Sequence, residues 1–100
     1  DDAARRLAGI ADAEGTPLKV VRIPSPGWID GEGGPIPASH MNFLIANKAV
    51  IVPTYAKQPR DFALGMLEQV VPGREVIGLP SLAILTGGGS FHCITQQEPA

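Results

Sequence analysis

The residues best suited to chemistry lie near the end of the chain, in Gly87-Gly88-Gly89-Ser90-Phe91-His92-Cys93-Ile94-Thr95-Gln96-Gln97. Consecutive glycines let backbone N–H groups approach a ligand without side-chain hindrance, and here they lead to the chain's single cysteine. A thiol nucleophile needs a lowered pKa, a partner that moves protons, and donors for the charge that develops on the substrate. The glycine N–H groups could supply the last of these. His40 and His92 are the two histidines available as proton partners. If residues 90 to 95 run as a strand, adjacent side chains face opposite ways, so His92 and Cys93 cannot share a pocket. His92 then reads as a packing or hydrogen-bonding residue, and His40 could serve only if the fold carries it to Cys93. A competing reading makes the glycines a tight connection and Cys93 a small buried hydrophobe. Local features alone favour that second reading.

The elements that must position this segment follow from periodicity. Residues 2 to 14 place Ala3, Leu7, Ile10, Ala11 and Ala13 at mostly helical spacing, with acids first and Gly15 at the stop, which predicts a short amphipathic helix. Leu18 to Ile23 has the β-branched content of a strand, ended by Pro24 and Pro26. Residues 24 to 38 hold four prolines and four glycines and predict a long loop. In it, Trp28 is expected to pack, and Asp30 and Glu32 to be solvated turn residues. Two apolar runs, Met41–Ala46 and Ala49–Val52, flank Asn47-Lys48 and predict a hairpin whose turn wants positive φ. Residues 59 to 71 carry Phe62, Ala63, Met66, Leu67, Val70 and Val71 at helical spacing, with Pro59 in the first turn and Pro72-Gly73 at the stop. Glu75–Leu79 follows as a strand, residues 81 to 85 as a helical turn, and Ser90–Thr95 as a strand.

Hairpin, helix and strand make one ββαβ module over residues 41 to 79. The helix and strand at 2 to 23 match half of another, and two partial copies suggest a repeat architecture. The third piece is the nucleophile segment, 81 to 97.

Composition excludes several classes. With 100 residues, 44% hydrophobic and 18% charged, the chain can bury a core and is not a disordered type. A net charge of −2 offers no basic surface for nucleic acid or an anionic membrane, and leaves cationic ligands electrostatically easier to accept. No apolar run approaches the roughly 18 residues of a membrane span. A lone cysteine forms no internal disulfide, and with two histidines it falls short of the usual zinc set. A reducing, cytoplasmic setting is expected, with no metal and no cofactor. The chain lacks an initiator Met and opens directly on a helical pattern, so it is expected to be a fragment of a longer protein.

The segment 87 to 97 closely resembles the C-terminal signature of agmatine deiminases, members of the guanidino-group-modifying pentein superfamily. Further stretches agree in order: Pro37-Ala38-Ser39-His40-Met41-Asn42-Phe43, Ala46-Asn47, Val50-Ile51-Val52-Pro53, and Pro72-Gly73-Arg74-Glu75-Val76-Ile77-Gly78. His40 stands where a Tyr is expected and Lys48 where a Gly is. The resemblance covers about residues 18 to 99. It implies a five-fold pseudosymmetric α/β propeller of ββαβ modules, the pentein fold, of which this chain holds a part. It also implies that Cys93 attacks the guanidinium carbon of a small cationic substrate such as agmatine. Ammonia leaves, and a covalent amidino-cysteine is hydrolysed to N-carbamoylputrescine, a step of polyamine synthesis. Cys93 is the one catalytic residue carried over, with Gly88 and Gly89 as pocket-wall candidates by proximity. The family's catalytic histidine and guanidinium-binding carboxylates belong to earlier modules, so this piece alone is expected to be inactive. A different class remains open: a non-catalytic, pentein-like interaction module that exchanges or pairs strands through open edges, self-associates, and uses Cys93 only for packing.

Overall fold

A computed structural model describes residues 1–55 and 57–100. Its organising element is a three-stranded sheet crossed by one long helix. Strands β1 (Asp30–Gly31) and β2 (Gly34–Pro35) form a separate small ribbon, while β3 (Leu44–Ile45), β4 (Ala49–Thr54) and β5 (Glu75–Pro80) make the main sheet in the order β3-β4-β5. Helices α1 (Asp2–Leu7), α2 (Lys57–Val70) and α3 (Leu82–Leu85) complete the chain.

The hairpin is set by apolar alternation. β3 pairs antiparallel with β4, Ile45 opposite Val50 and Leu44 opposite Ile51, and Ala46 N–H donates to the Ala49 carbonyl at 2.8 Å across the two-residue turn. Neither Asn47 nor Lys48 takes a positive φ, so the turn avoids the left-handed geometry that a glycine there would allow. The turn is also held from outside. Lys48 offers its carbonyl to Glu75 N–H at 3.0 Å, and the Arg74 guanidinium donates to the Ala46 carbonyl at 3.1 Å.

β4 and β5 run parallel in register from Ala49 opposite Glu75 to Thr54 opposite Pro80. Parallel neighbours need a crossover, and α2 supplies it. Hairpin, helix and parallel strand thus follow one another from Leu44 to Pro80 in ββαβ order. Val50 and Val52 point from β4 into the core and Leu67 meets them from α2, with Ile23, Phe43, Leu64, Val71 and Val76 packed around. The stripe of α2 that faces inward is centred on Ala63 and Leu67; Phe62, expected within it, is 65% exposed. Gly78 lets α2 close onto β5, since a Cβ there would lie 2.9 Å from a Leu64 methyl.

Several expectations fail outside this module, each for want of a partner. The helix expected over 2 to 14 stops at Leu7 and buries no residue. Beyond it, the Asp12 carboxylate accepts the N–H groups of Glu14 and Thr16 at 2.9 Å each, a turn that replaces the helical bonds. Residues 18 to 23 form no strand, because no strand pairs with them among the described residues; Leu18 and Val20 stay exposed while Ile23 touches the core. Trp28 does not pack: it is 77% exposed, its indole N–H donating to Asp30 at 2.7 Å. Asp30 and Glu32 are solvated, as expected.

The molecule is a slab of 46 × 38 × 23 Å with a radius of gyration of 15.1 Å. A compact chain of 100 residues would have about 13 Å. Its accessible surface is 7272 Å², whereas a compact monomer of this mass would expose about 5,400 Å². The excess reflects an open shape, and Leu18, Val20, Ile45 and Leu79 are among the apolar residues left exposed. Among the described residues, no helix is long and apolar enough to cross a membrane.

Candidate active site

The segment carrying Cys93 is anchored at the C-terminal end of β5. Ser81 continues the register by donating its N–H to the Thr54 carbonyl at 3.0 Å, and its carbonyl accepts Leu85 N–H at 3.0 Å to start α3. The Ser81 and Ser90 hydroxyls hydrogen-bond to each other, and both residues are fully buried. This contact ties the far end of the triglycine back to the sheet.

After Ser90 the chain turns instead of extending. Ile94 N–H donates to the Ser90 carbonyl at 3.2 Å and Thr95 N–H to the His92 carbonyl at 3.2 Å, while the Thr95 hydroxyl donates to the carbonyls of Phe91 and His92 at 3.0 Å each. The strand expected over Ser90–Thr95 is thus a compact helical turn. Thr95 explains part of the difference, since a hydroxyl that satisfies local carbonyls favours a turn over a ladder.

That turn presents Cys93 to solvent as an exposed free thiol. Burial as a small hydrophobe, the reading favoured by local features, does not hold. Asn42, at the start of the hairpin module, reaches across 51 positions to grip it. The Asn42 Nδ2 donates to Cys93 Sγ at 2.9 Å, while its Oδ1 accepts His92 N–H at 3.0 Å and Cys93 N–H at 3.3 Å. Donation from Asn42 and from the Ser90 backbone holds the Cys93 thiol below its ordinary range, outweighing the small opposing effect of desolvation.

The glycines act in two ways. Gly89 lies against the thiol: a Cβ there would sit 2.7 Å from Cys93 Cβ and 2.9 Å from Sγ. Gly88 has a φ of +94°, a conformation that side-chain-bearing residues rarely adopt, with open space where its Cβ would be. The turn before Cys93 therefore needs glycine for conformation at one position and for space at the next.

Neither histidine pairs with the thiol among the described residues. His40 is 1% exposed; its Nδ1 is 2.9 Å from the Pro53 carbonyl and its ring lies 5.8 Å from that of Tyr55. Since a carbonyl only accepts, Nδ1 carries the proton, and Nε2 is left as a buried lone pair without a partner among the described residues. His40 thus caps the buried Pro53 carbonyl, beyond the point where β3 stops pairing at Ile51. His92 is exposed, not packed, and lines a small open cleft of about 330 Å³ with Ser39, Met41 and Asn42 beside the thiol. A larger open cleft, about 770 Å³, lies between the β1–β2 ribbon and α3, with Asp30, Glu32, Leu82 and Thr86 on its walls.

Sequence reasoning nominated Cys93, Gly88 and Gly89 as candidates and did not single out Asn42, which the structure brings to them. The signal lay in the stretch Pro37–Phe43, where a single polar carboxamide interrupts the approach to an apolar strand.

Comparison with known proteins places this arrangement. Residues 1–99 match the family model described as Porphyromonas-type peptidyl-arginine deiminase. A Lactococcus lactis (strain IL1403) protein, provisionally named as an agmatine deiminase, is 39% identical over 98% of this chain and 31% of its own length. The chain thus spans under a third of that curated relative. Among solved structures, the agmatine deiminase of Enterococcus faecalis superposes with a TM-score of 0.89 at 35% identity, covering 98% of this chain and 32% of that one. A C. jejuni agmatine deiminase with a Cys→Ser substitution and substrate bound superposes with a TM-score of 0.71 at 26% identity, over 76% of this chain and 23% of that one.

Proposed function

This chain belongs to the Porphyromonas-type peptidyl-arginine deiminase family, and from that membership we propose that it is the C-terminal, nucleophile-bearing part of an agmatine deiminase-like hydrolase. Its relatives are deiminases of pentein fold, and the ββαβ order of β3, β4, α2 and β5 fits a unit of that mixed α/β architecture. The observation that carries the proposal is the exposed Cys93 thiol, held below its usual range by Asn42 and backed by Gly89.

In the proposed reaction the Cys93 thiolate attacks the central carbon of a guanidinium, forming a C–S bond. One C–N bond then breaks, and the departing nitrogen takes a proton from an acid to leave as ammonia. The resulting amidino-cysteine accepts water: a C–O bond forms, the C–S bond breaks, and the thiolate is regenerated. Guanidinium and water become a substituted urea and ammonium, so charge and atoms balance. With agmatine the product is N-carbamoylputrescine. The cationic substrate favours the thiolate that attacks it. Gly88 and Gly89 would line the wall beside the carbon under attack, and their lack of side chains leaves room for a planar guanidinium.

The proton-transferring histidine and the carboxylates that hold the guanidinium are assigned to sequence beyond this chain. His40 is engaged with Pro53, and no hydrogen bond joins the His92 ring to Cys93 among the described residues. A C. jejuni agmatine deiminase with a Cys→Ser substitution holds its substrate, which fits a cysteine taking part in the reaction of such enzymes. A free, reactive thiol also suits a reducing, cytoplasmic setting. The test is ammonia release from agmatine by the protein that carries this chain: activity is expected and should vanish in Cys93→Ala. The 100-residue chain alone is expected to release none. Turnover that survives Cys93→Ala would sink the assignment. The rival reading, an interaction module in which Cys93 only packs, is weakened by the exposure of the thiol. Alkylation separates the two: a fast-reacting Cys93 protected by agmatine supports the enzyme, and an inert thiol supports the module.

A further inference from the structure

Asn42 sits at a junction of two segments that the chain brings together from a distance. Its side chain has one acceptor and one donor end, and the structure uses both on the same turn. The Oδ1 end takes two consecutive backbone N–H groups, those of His92 and Cys93, and the His92 N–H also lies 3.3 Å from the Asn42 backbone carbonyl. Because those N–H groups can only donate, the amide orientation is fixed, and the NH2 must face the sulfur. There it lies 2.9 Å from Sγ.

A donor that cannot accept distinguishes a thiolate from a thiol: the anion is a strong acceptor and the neutral sulfur a weak one. The sulfur also lies close to Gly89, where an added Cβ would come within 2.9 Å of it. His92, the titratable residue next to Cys93 in the same turn, makes no side-chain hydrogen bond to it among the described residues.

We propose that Asn42 is the positioning residue of the nucleophile, its carbonyl oxygen fixing the turn that carries Cys93 and its NH2 holding the sulfur as an anion at one place. The proposal rests on the deiminase reading of Cys93, but its test does not need a guanidine. Asn42→Asp is the discriminating variant. It keeps the acceptor for both N–H groups and the size of the side chain, and replaces the donor by a negative charge facing the sulfur. Asn42→Ala removes both functions.

The rate of Cys93 alkylation by iodoacetamide is measured against pH, by mass spectrometry of the peptide containing Cys93, in the protein that carries this chain. The midpoint should move to higher pH in both variants and furthest in Asn42→Asp. A move of one pH unit corresponds to about a tenfold slower reaction at neutral pH. In the deiminase assay kcat should fall with KM little changed, since the role proposed for Asn42 is exerted through the sulfur. An unchanged midpoint in either variant that keeps the wild-type melting profile overturns the proposal. Should both variants misfold, the unsubstituted protein still decides. The Asn42 side-chain NH2 resonances must shift in step with the titration of Cys93, and resonances blind to that titration refute the contact. A moved midpoint in a protein that releases no ammonia from agmatine would uphold Asn42 while rejecting the substrate assignment.

Discussion

Replacing Gly89 by alanine isolates one methyl group against the Cys93 side chain. The added Cβ would lie 2.7 Å from Cys93 Cβ and 2.9 Å from Sγ. Non-bonded carbons rest about 3.5–4.0 Å apart, so Cys93 must retreat by about 1 Å. The backbone does not oppose the substitution, because Gly89 is not among the glycines with positive φ. The whole effect therefore falls on the position of the sulfur and on its 2.9 Å bond from Asn42. A misplacement of about 1 Å at a reacting group can cost about 100-fold in rate, equivalent to about 2.7 kcal/mol of transition-state stabilisation. Cys93 is exposed and the turn can shift outward, so the loss of folding stability should stay below about 1 kcal/mol. Gly88→Ala is the counterpart. Nothing lies within 4 Å of its Cβ position, but φ is +94°. It should cost about 1–2 kcal/mol of stability through backbone strain and leave the alkylation midpoint of Cys93 where it was. The assays are kcat/KM with agmatine, the pH profile of alkylation and thermal unfolding, all in the protein that carries this chain. Full activity and an unshifted pH profile in Gly89→Ala would refute the reasoning.

Two further outcomes test the support beneath the site. Removing one hydroxyl of the buried Ser81–Ser90 pair strands the other, so each single alanine variant should cost about 1–3 kcal/mol, and the double variant less than their sum; denaturant unfolding of the cycle measures this, and strict additivity would count against a shared bond. Leu67→Ala should cost about 2–5 kcal/mol by opening a cavity beneath Val50 and Val52, seen as a lower Tm with an unaltered alkylation midpoint at Cys93.

Local pattern was a good guide wherever the chain supplies its own partner. β4, α2 and β5 bury one another, so the apolar spacing that suggests them also stabilises them. Leu18–Ile23 has an equally strong strand composition and forms none, since β structure requires a neighbour that these residues do not meet here. The turn at Ser90–Ile94 departs from the strand its local pattern suggests for a subtler reason. Apolar and β-branched residues at 91, 94 and 95 outweighed the Thr95 hydroxyl, whose bonds to two carbonyls decide the conformation. The candidate site was legible in part. Cys93 stands out by being single, and Gly88 and Gly89 by their context, but the grip of Asn42 depends on a contact between residues 51 apart that no local window contains.

That long separation also bears on when the Asn42–Cys93 contact can form during folding. Closing a loop of this length carries an entropic cost that helix formation within α2 does not. Until β5 has docked beside β4 and the segment after it has swung back to Asn42, Cys93 is an ordinary thiol with no donor on its sulfur. On the proposed reading, the donor on its sulfur would then arrive late in assembly, because it depends on a contact between residues 51 apart. A thiol probe added during refolding should register the activated sulfur only after the circular dichroism of α2 has reached its final value.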